Sequence, residues 1–432
     1  MKVVVLAGGR GTRLGLQDRP KPMVPVSGKP LLEHLLEMAK ASGMTDFVFL
    51  NGYKAEVIEE HFGNGDRFGV RIEHIRESQP LGTAGAVRAA RHLLNETFVV
   101  LYGDILMNVD LAAFVNFHKA HGGIGSVFVH PNDHPQDSDL VVADATGRVE
   151  SFLPKPHRPG ADLPNLVSAA LYVLEPRALD HVTASGPSDW GRDVLPQVVD
   201  DGERVFAYRS LEYAKDIGTP ARIAQAEADL RSGRVERLGL QTSKPAIFVD
   251  RDGVLNTEIN GVHVPEQLAL LDGVGQAVRE ANRAGIPVIC VTNQPDVAKG
   301  LLTAQTVDAV HAALDTRLAE TGAYLDDLLY CPHHPETGWP NEVVELKIEC
   351  ACRKPRPGML LQAARSHNLD LSRSWMIGDR YADIAAAHAA GARGALVKTG
   401  HAGDDKTRFA EEADGVFDNL SEAFAHIIRN WP

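Results

Sequence analysis

The sequence predicts an α/β protein of two consecutive domains, each built on a doubly wound sheet. Short apolar runs rich in β-branched residues alternate with longer helical patterns throughout the chain. At 432 residues, the chain is too long for one ordinary core. One stretch without strong periodicity, "RVERLGLQTSK", separates two such alternating series. We therefore place the domains at residues 1–232 and 245–432, joined by a linker at 233–244.

The composition limits the classes of partner. The formal net charge of −13 makes a nucleic acid polymer an unexpected partner. The apolar run at the N-terminus is shorter than a secretory signal requires, and no run reaches the length of a membrane span. Four cysteines, three of them clustered, fit a reducing compartment. We expect a soluble, cytosolic protein that does not act at a membrane.

The first half shows strand and helix patterns in alternation, which indicates a parallel sheet. The predicted helices are "PLLEHLLEMAKASG", "GTAGAVRAARHLL" and, closing this half, "TPARIAQAEADLRSG". The predicted strands are "VVVLAGG", "FVFLNGY", "FVVLYGD", "GSVFVH" and "VSAALYVL".

A glycine-rich loop, "LAGGRGTRL", follows the first predicted strand, at the sheet edge where ligands of doubly wound folds bind. Gly8, Gly9 and Gly11 would let the backbone approach a phosphate chain. Arg13 and Lys21 could supply the counter-charge for a triphosphate. The alternative from these residues alone is a glycine turn with solvated basic side chains.

Two aspartates from distant parts of this half could form a cation site. Asp104 ends the strand "FVVLYGD", and Asp216 precedes a helix in "AKDIGTP". Carboxylate oxygens are the ligands that Mg²⁺ prefers, so the pair could hold that ion against phosphates. Taken alone, an aspartate in such a position is more often a helix cap or a turn residue.

The order of "LAGGRGTRL", "PKPMVPV", "GKPLLEH", "PLGTAGA", "GD" and "DIGTP" resembles the sugar-1-phosphate nucleotidyltransferase family, with its Rossmann-like, GT-A-like fold. The resemblance spans about residues 1 to 232. It implies that a sugar phosphate oxygen attacks the α-phosphorus of an NTP. It also implies a role for each matching residue. Arg13 and Lys21 would act in catalysis, and Thr12 would bind the nucleotide together with the loop glycines. The base would be contacted by Gln79, Gly82 and Thr83, Mg²⁺ would be held by Asp104 and Asp216, and the sugar phosphate would be bound by Lys155.

Three departures from that family lie on the sugar side. Pro154 stands where the family usually has Glu, and Ala170 stands where it usually has Gly. The segment "DWGRDVLP" replaces a Ser-x-Glu pattern. The phosphate chemistry is therefore better supported than the identity of the sugar.

The second half places polar residues at the ends of successive predicted strands, which are "PAIFVD", "IPVICVTN", "SWMIGD" and "GALVKTG". Asp250 and Asp252 lie two residues apart and therefore on one face. Such close carboxylates repel each other unless a cation or a shared proton intervenes. The other candidates at this edge are Thr292, Asn293, Lys354, Asp379 and Asp383.

This pattern resembles the haloacid-dehalogenase phosphatase superfamily over about residues 245 to 432. The resemblance implies that Asp250 is the nucleophile and Asp252 the general acid and base. The short chain between Asp252 and Thr292 leaves no room for a large cap domain. The phosphoryl group would be bound by Thr292, Asn293, Arg353 and Lys354, and Mg²⁺ by Asp250, Asp252 and Asp379, with Asp383 as a further candidate.

A cysteine-rich stretch, "CPHHPETGWPNEVVELKIECACRKP", precedes the helix that follows Lys354. Cys331, His333, Cys350 and Cys352 form a donor set suited to a closed tetrahedral zinc site. The alternative is three reduced cysteines packed as small apolar residues. His334 is the rival ligand to His333, and the fourth cysteine, Cys290, is expected in the core.

"CPHHPE", "CACRKPRPGML" and "DRDGVLN" resemble one branch of the superfamily, the zinc-containing heptose-bisphosphate and histidinol-phosphate phosphatases. One departure alters the loop after the phosphate donors, where Pro295 and Asp296 replace the Ser-Gly usual in that branch. The substrate of this half is therefore less certain than hydrolysis itself.

Together the two resemblances predict consecutive reactions. The second half would remove the 7-phosphate of D-glycero-D-manno-heptose 1,7-bisphosphate, and the first would join the heptose 1-phosphate to a nucleotide, with GTP favoured. The expected partners are therefore small sugar phosphates and NTP, and a homo-oligomer stays open. One alternative is a histidinol-phosphate or other phosphatase fused to a UTP- or ATP-using hexose-1-phosphate enzyme. Another is a first half that acts as a ligand-sensing regulatory module.

Overall fold

The computed structural model describes residues 1–11, 14–16, 18–183 and 186–431. These residues form two compact units. Unit 1 contains residues 1–130, 138–156 and 166–242, and unit 2 contains residues 131–137, 157–165 and 243–432. Two short segments from the first half thus belong to unit 2 by their contacts. Within unit 2, for example, the backbone N–H of Leu163 donates to Thr316 Oγ1 at 2.8 Å.

The main sheet of unit 1 is built around its first strand, which pairs in parallel with a strand on each side. The sheet order is β10-β9-β11-β6-β1-β4-β5, with β8 paired to β11 and β12. Two further pairs, β2–β3 and β7–β13, lie outside it. The strands are β1 Val3–Leu6, β2 Pro25–Val26, β3 Lys29–Pro30, β4 Asp46–Asn51, β5 Arg71–Arg76, β6 Phe98–Tyr102, β7 Ile105–Asn108, β8 Gly125–His130, β9 Leu140–Ala143, β10 Val149–Leu153, β11 Val167–Leu174, β12 Val205–Arg209 and β13 Tyr213–Asp216.

This sheet is mixed, whereas the alternating pattern predicts a parallel one. Strand β11 runs antiparallel to both β6 and β8. The chain reaches β11 through the antiparallel pair β9–β10, without the crossover helix that a parallel neighbour requires. The α/β fold class and the doubly wound centre around β1 are as predicted.

Helices cover both faces of the sheet, so its strands are apolar on both sides. In β4, Phe47 and Phe49 enter one core cluster with Leu32 and Leu35 of the first helix. Val48 points to the opposite face and enters a second cluster. The helices of unit 1 are α1 Leu31–Ala41, α2 Ala55–Phe62, α3 Gly82–Ala89, α4 Leu111–His121, α5 Leu195–Asp200, α6 Pro220–Arg231 and α7 Arg234–Leu238.

The stretch predicted as a linker contains the short helix α7. Its Val235 is buried against a cluster that includes Leu106 and Tyr213. One buried valine in an otherwise polar segment gives too weak a periodicity to be recognised in the sequence.

Unit 2 is built on a sheet in which every described pair is parallel, in the order β16-β15-β14-β17-β18-β19. The central strand β14 therefore has a neighbour on each side, and the carboxyl ends of all these strands meet at one edge. The strands are β14 Ile247–Val249, β15 Val288–Asn293, β16 Asp327–Cys331, β17 Trp375–Gly378, β18 Arg393–Val397 and β19 Gly415–Phe417.

Helices also cover the sheet of unit 2. Ile247 and Val249 pack in one core cluster with Val278 and Phe424. The helices are α8 Val274–Ala284, α9 Ala304–Ala319, α10 Gly358–His367, α11 Tyr381–Ala390 and α12 Leu420–Arg429. In the described part of the chain, no helix has the length and apolar character needed to span a bilayer.

Candidate active sites

In unit 1, a buried lysine joins the two predicted metal-holding aspartates. Lys21 Nζ lies 2.8 Å from Asp104 Oδ2 and 3.0 Å from Asp216 Oδ1. The antiparallel pairing of β7 with β13 places Asp216 opposite Ile105, next to Asp104. Residues 83 and 195 positions apart from Lys21 thus share one site with it, in which a positive charge lies between two negative charges.

Arg222, at the start of α6, also pairs with Asp216. Burial alone would raise the pKa of Asp216, but the charges of Lys21 and Arg222 lower it below its ordinary value. Asp216 is therefore ionised at neutral pH, as a metal ligand must be. Arg222 lies two residues after the "DIGTP" motif, and no pattern in the sequence marks it as a site residue.

The glycine-rich loop leads from β1 toward this site. Gly11 adopts a φ of +63°, and the backbone N–H of Lys21 donates to Gly9 O at 3.2 Å. The left-handed backbone at Gly11 explains the requirement for glycine there. Thr12 and Arg13 lie outside the described residues.

The three residues predicted to contact the base have different surroundings in the structure. A Cβ at Gly82 would lie 2.4 Å from Ser188 O, so Gly82 packs directly on that backbone. Thr83 Oγ1 donates to Asp189 Oδ2 at 2.7 Å. Gln79 is exposed. Gly82 and Thr83 therefore fix the position of the segment that begins the departure "DWGRDVLP".

On the predicted sugar side, Ala170 adopts a left-handed backbone conformation, with a φ of +54°. It lies in β11 where the register with β8 shifts between Ser168 and Tyr172. The family's usual glycine suits this conformation, and alanine is strained in it. Lys155 is exposed after β10, and its backbone N–H donates to Asp139 Oδ1 at 3.0 Å.

In unit 2, the predicted nucleophile lies beside a buried lysine. Lys354 Nζ is 2.8 Å from Asp250 Oδ2 and 2.7 Å from Asp383 Oδ1, and it donates to Val291 O at 2.8 Å. Asp250 follows β14, whereas Asp383 lies in the first turn of α11. The structure therefore brings Lys354 and Asp250 together, as the sequence predicts.

Asp250, Asp379 and Asp383 offer oxygen atoms that lie within 4.8 Å of one another. Glycines make room for these carboxylates: a Cβ on Gly253 or on Gly400 would lie 2.3 or 2.2 Å from Asp379 Oδ2. Burial, together with the neighbouring Asp250 and Asp383 charges, raises the pKa of Asp379 to about 8. Three carboxylates beside one lysine are thus short of positive charge, and the group fits a divalent cation.

Asp252 faces a different set of partners. Its carboxylate accepts hydrogen bonds from Arg251, Asn256 and Gln294, at 2.8–3.2 Å. Burial raises its pKa, but these contacts, led by the Arg251 charge, bring it below its ordinary value. Asp383, rather than Asp252, completes the cluster of side-chain oxygens with Asp250 and Asp379.

A buried arginine links Asp252 to a histidine, and no pattern in the sequence predicts this contact. Arg251 is fully buried, and its Nη1 donates to His311 Nε2 at 3.2 Å. Burial and the Arg251 charge lower the pKa of His311 well below its ordinary value, which keeps the imidazole neutral and able to accept this bond. Arg251 stands between the two predicted aspartates, but no local pattern links it to His311 on α9.

The predicted phosphoryl donors lie at the end of β15. Thr292 Oγ1 accepts a hydrogen bond from Gln294 Nε2 at 3.0 Å, and the same amide reaches Asp252. The Asn293 side chain exchanges two hydrogen bonds with the backbone of Lys354, both at 3.1 Å. Asn293 therefore positions Lys354. Arg353 Nη1 instead contacts His333 O, at 3.4 Å.

Cys331, His333, Cys350 and Cys352 form one cluster, with ligand atoms within 4.8 Å of one another. Sulfur–sulfur distances within it are 3.2–3.5 Å. Hydrogen bonding with Cys331, and then with Cys350 and His333, lowers the pKa of Cys352 to about 5. Three sulfurs and one imidazole converging in this way can hold a metal ion.

The other two candidates for this site lie elsewhere. The His334 ring packs on Trp339, and His334 is not part of the cluster. Cys290 is fully buried in β15, as predicted.

The Asp296 departure connects two loops near the end of β15. Asp296 Oδ2 lies 2.8 Å from His263 Nε2, and Oδ1 lies 3.0 Å from Lys299 Nζ. Although burial raises its pKa, hydrogen bonds from His263 and Lys299 lower it below the ordinary value. The residue that departs from the related phosphatases therefore has a defined structural role here.

Two family models match different parts of the chain. A family model described as nucleotidyl transferase matches residues 2–233, more than half of the chain. A second model, described as HAD-hydrolase-like, matches residues 351–423. The chain belongs to the nucleotidyl transferase family, joined to a HAD-hydrolase-like domain.

Three curated relatives illustrate the two parts of this nucleotidyl transferase. A mannose-1-phosphate guanylyltransferase of Mycobacterium tuberculosis is 35% identical over 53% of the chain, which spans 64% of that relative's length. A UTP–glucose-1-phosphate uridylyltransferase of Synechocystis is 30% identical over 63% of the chain, and the match covers 76% of that relative's length. A D-glycero-β-D-manno-heptose-1,7-bisphosphate 7-phosphatase of Yersinia pestis is 42% identical over 37% of the chain, and the match covers 82% of that relative's length.

Proposed function

We propose that the chain is a bifunctional enzyme of nucleotide-activated heptose biosynthesis. One observation carries the proposal: the chain contains two clusters in which a lysine lies among carboxylates, an arrangement suited to phosphate chemistry with Mg²⁺. The first cluster consists of Lys21, Asp104 and Asp216, and the second consists of Lys354, Asp250, Asp379 and Asp383. A phosphatase that leaves a sugar 1-phosphate supplies the substrate class of a sugar-1-phosphate nucleotidyltransferase. The name of the Yersinia pestis relative supports the heptose bisphosphate as the starting compound.

In unit 2, an Asp250 oxygen would attack the 7-phosphorus, and the bond from phosphorus to the sugar oxygen would break. Because the Arg251 charge keeps Asp252 ionised in the free protein, Asp252 would first gain a proton when the negatively charged phosphoryl group binds beside it. It would deliver that proton to the sugar oxygen and regain one from the water that hydrolyses the aspartyl-phosphate. Thr292 and Lys354 would bind the phosphoryl oxygens. Mg²⁺ held by Asp250, Asp379 and Asp383 would neutralise phosphoryl charge.

In unit 1, an oxygen of the sugar 1-phosphate would attack the α-phosphorus of the NTP, and pyrophosphate would leave. Lys21 would neutralise charge on the reacting phosphates, and Mg²⁺ would be held by Asp104 and Asp216. The loop at Gly8, Gly9 and Gly11 would bring backbone N–H groups to the phosphates. Because little covalent chemistry is required of the protein, positioning supplies most of the rate.

We also propose that the cysteine–histidine cluster binds zinc and that this ion is structural. Four protein donors close a tetrahedral site and leave no position for substrate. The ion would fix the long loop that ends beside Lys354.

Separate assays of the two half-reactions test this proposal. The phosphatase would be assayed on heptose 1,7-bisphosphate and on histidinol phosphate, and the transferase on preformed heptose 1-phosphate with GTP, UTP and ATP in turn. We expect the bisphosphate and GTP to give the highest kcat/KM values. Preference for histidinol phosphate, or for UTP or ATP, would replace the substrates while keeping the reaction classes. Absence of any transfer together with retained nucleotide binding would favour a regulatory unit 1.

A further inference from the structure

The loop that carries Lys155 continues into a segment that belongs to unit 2. This loop runs from the end of β10 at Leu153 to the start of β11 at Val167. All of its residues are described, and none of them lies in a helix or strand. Connections of this length are uncommon in compact domains, and most of them are functional or disordered. Residues 157–165 of the loop belong to unit 2 by their contacts.

Helix α9 of unit 2 supplies two of these contacts. The backbone N–H of Leu163 donates to Thr316 Oγ1 at 2.8 Å. The backbone N–H of Asn165 donates to Asp315 Oδ2 at 3.0 Å. Two adjacent side chains of one helix therefore satisfy two backbone donors near the end of the loop, which restricts the conformations that the loop can adopt.

Further hydrogen bonds connect this end of the loop to the backbone of Lys155. The Asn165 side chain is 2% exposed, and it donates to Asn132 O at 2.7 Å and accepts from the Asn132 N–H at 3.0 Å. Asn132 lies in the other segment of unit 2, residues 131–137. Asp139 follows that segment, and its Oδ1 accepts from the backbone N–H of Lys155 at 3.0 Å. Helix α9 thus holds both segments that flank this lysine.

From these contacts, we propose that Asp315 and Thr316 are positioning residues for Lys155 and thereby for the sugar 1-phosphate. The proposal rests on the proposed nucleotidyl transfer and on the sugar-phosphate role predicted for Lys155. The lysine side chain is exposed, so its backbone decides which region the ammonium group can reach. A loop that is fixed in advance loses less conformational entropy when its lysine binds a phosphate. The unit that would produce the sugar 1-phosphate would therefore also strengthen its binding for the next reaction.

A double variant, Asp315→Ala with Thr316→Val, tests the proposal in the full-length protein because it removes both acceptors. We expect KM for the sugar 1-phosphate to rise about 10-fold, the effect of losing hydrogen bonds of ordinary strength. The KM for NTP and kcat should stay unchanged, as for a loss of uniform substrate binding. Hydrogen exchange in residues 157–165 should become faster. Unchanged phosphatase kcat/KM would verify that unit 2 folds.

Three further proteins separate positioning from a general structural effect. Asp315→Asn with Thr316→Ser keeps an acceptor oxygen at each position and should restore KM to nearly its wild-type value. Asp308→Ala removes a carboxylate from an exposed position on the same helix and should change neither KM nor hydrogen exchange. In a Lys155→Ala background, the double variant should no longer change KM, because both effects act through the same lysine.

Equilibrium binding separates the proposal from the proposed function. Preformed heptose 1-phosphate and mannose 1-phosphate would be titrated into each protein by calorimetry, with Mg²⁺ and the α,β-methylene analogue of GTP. Weaker binding to the double variant than to wild type, without turnover by either protein, would support the proposal and overturn the transfer. An active enzyme whose sugar-phosphate KM is unchanged in the double variant, or is still raised by it in Lys155→Ala, would overturn the proposal. So would a wild type that binds neither sugar phosphate.

Discussion

At the scale of single residues, the proposed phosphatase chemistry depends on one carboxylate oxygen of Asp250. Asp250→Asn removes the nucleophile while preserving the shape of the side chain. We expect phosphate release to fall at least about a thousandfold. Transfer to preformed sugar 1-phosphate should be unchanged, because the Lys21 site lies in the other unit. The control Asp418→Asn alters an exposed carboxylate paired with Lys398 and should retain both activities. Loss of both activities in a folded Asp250→Asn protein would contradict independent sites.

The charge deficit at the same site predicts a pH-dependent affinity for Mg²⁺. The pKa of Asp379 is raised to about 8, so this carboxyl is protonated at pH 6 in the metal-free protein. A cation must displace that proton, and affinity should therefore rise up to about tenfold per pH unit from 6 toward 8 and then level off. Calorimetry in buffers of different ionisation enthalpy should show about one proton released per ion at pH 7. A pH-independent affinity, or unchanged proton release in Asp379→Asn, would contradict the assignment.

Residues that end parallel strands were predictable from the sequence, because the carboxyl ends of such strands meet at one edge. This reasoning brings Asp250 and Asp379, which follow β14 and β17, to one cluster. Lys354 precedes α10 instead of ending a strand, and it pairs with Asp250. The same reasoning could not find His311, which lies on α9 and contacts Arg251 only through the tertiary fold.

At the scale of elements, we expect the loop from Cys331 to Cys352 to be ordered by a bound metal ion. Cys350→Ser removes one of the four donors, and we expect bound zinc to fall from about one ion per chain to nearly none. The control Cys290→Ala removes a buried thiol of β15 that is not part of the cluster, and it should keep its zinc. Elemental analysis of the purified proteins provides the measurement. Metal-free wild type, or full zinc in Cys350→Ser, would contradict the site.

A second element, strand β11, carries local strain at Ala170. Ala170→Gly relieves the left-handed conformation and should increase the free energy of unfolding of unit 1 by about 1 kcal/mol. The neighbouring Ala169→Gly, in the same strand but not at positive φ, should instead decrease it by about 0.5–1 kcal/mol. Calorimetric melting of both variants checks the signs. If Ala170→Gly lowered the free energy of unfolding, the alanine methyl would contribute more to stability than the left-handed backbone costs.

The predicted elements agree with the structure where the runs are buried and rich in β-branched or aromatic residues, as in β1, β4, β6 and β15. Strand β16, which positions Cys331, was missed because it contains no β-branched residue and four of its five residues are only partly buried. The antiparallel direction of β11 was not predictable, because its residue pattern does not distinguish the strand directions of a sheet buried on both faces. Site residues were therefore easier to predict than the topology that carries them.

At the scale of the whole molecule, one chain joins a nucleotidyl transferase domain to a HAD-hydrolase-like domain. A phosphatase and a sugar-1-phosphate nucleotidyltransferase can act in sequence if the product of the first is the substrate of the second. The phosphatase must then act on the phosphate that the transferase does not use. For the proposed heptose substrate, we therefore expect hydrolysis at position 7 to precede nucleotidyl transfer at position 1.

Mass spectrometry of the products from one reaction tests this order most directly. The full-length protein would be incubated with D-glycero-D-manno-heptose 1,7-bisphosphate, GTP and Mg²⁺, beside Asp250→Asn and Asp104→Asn. We expect wild type to form GDP-heptose without a second phosphate on the sugar, with one phosphate and one pyrophosphate released per molecule. Neither variant should complete this conversion. The absence of any nucleotide-linked heptose, or a product that retains its 7-phosphate, would contradict consecutive action.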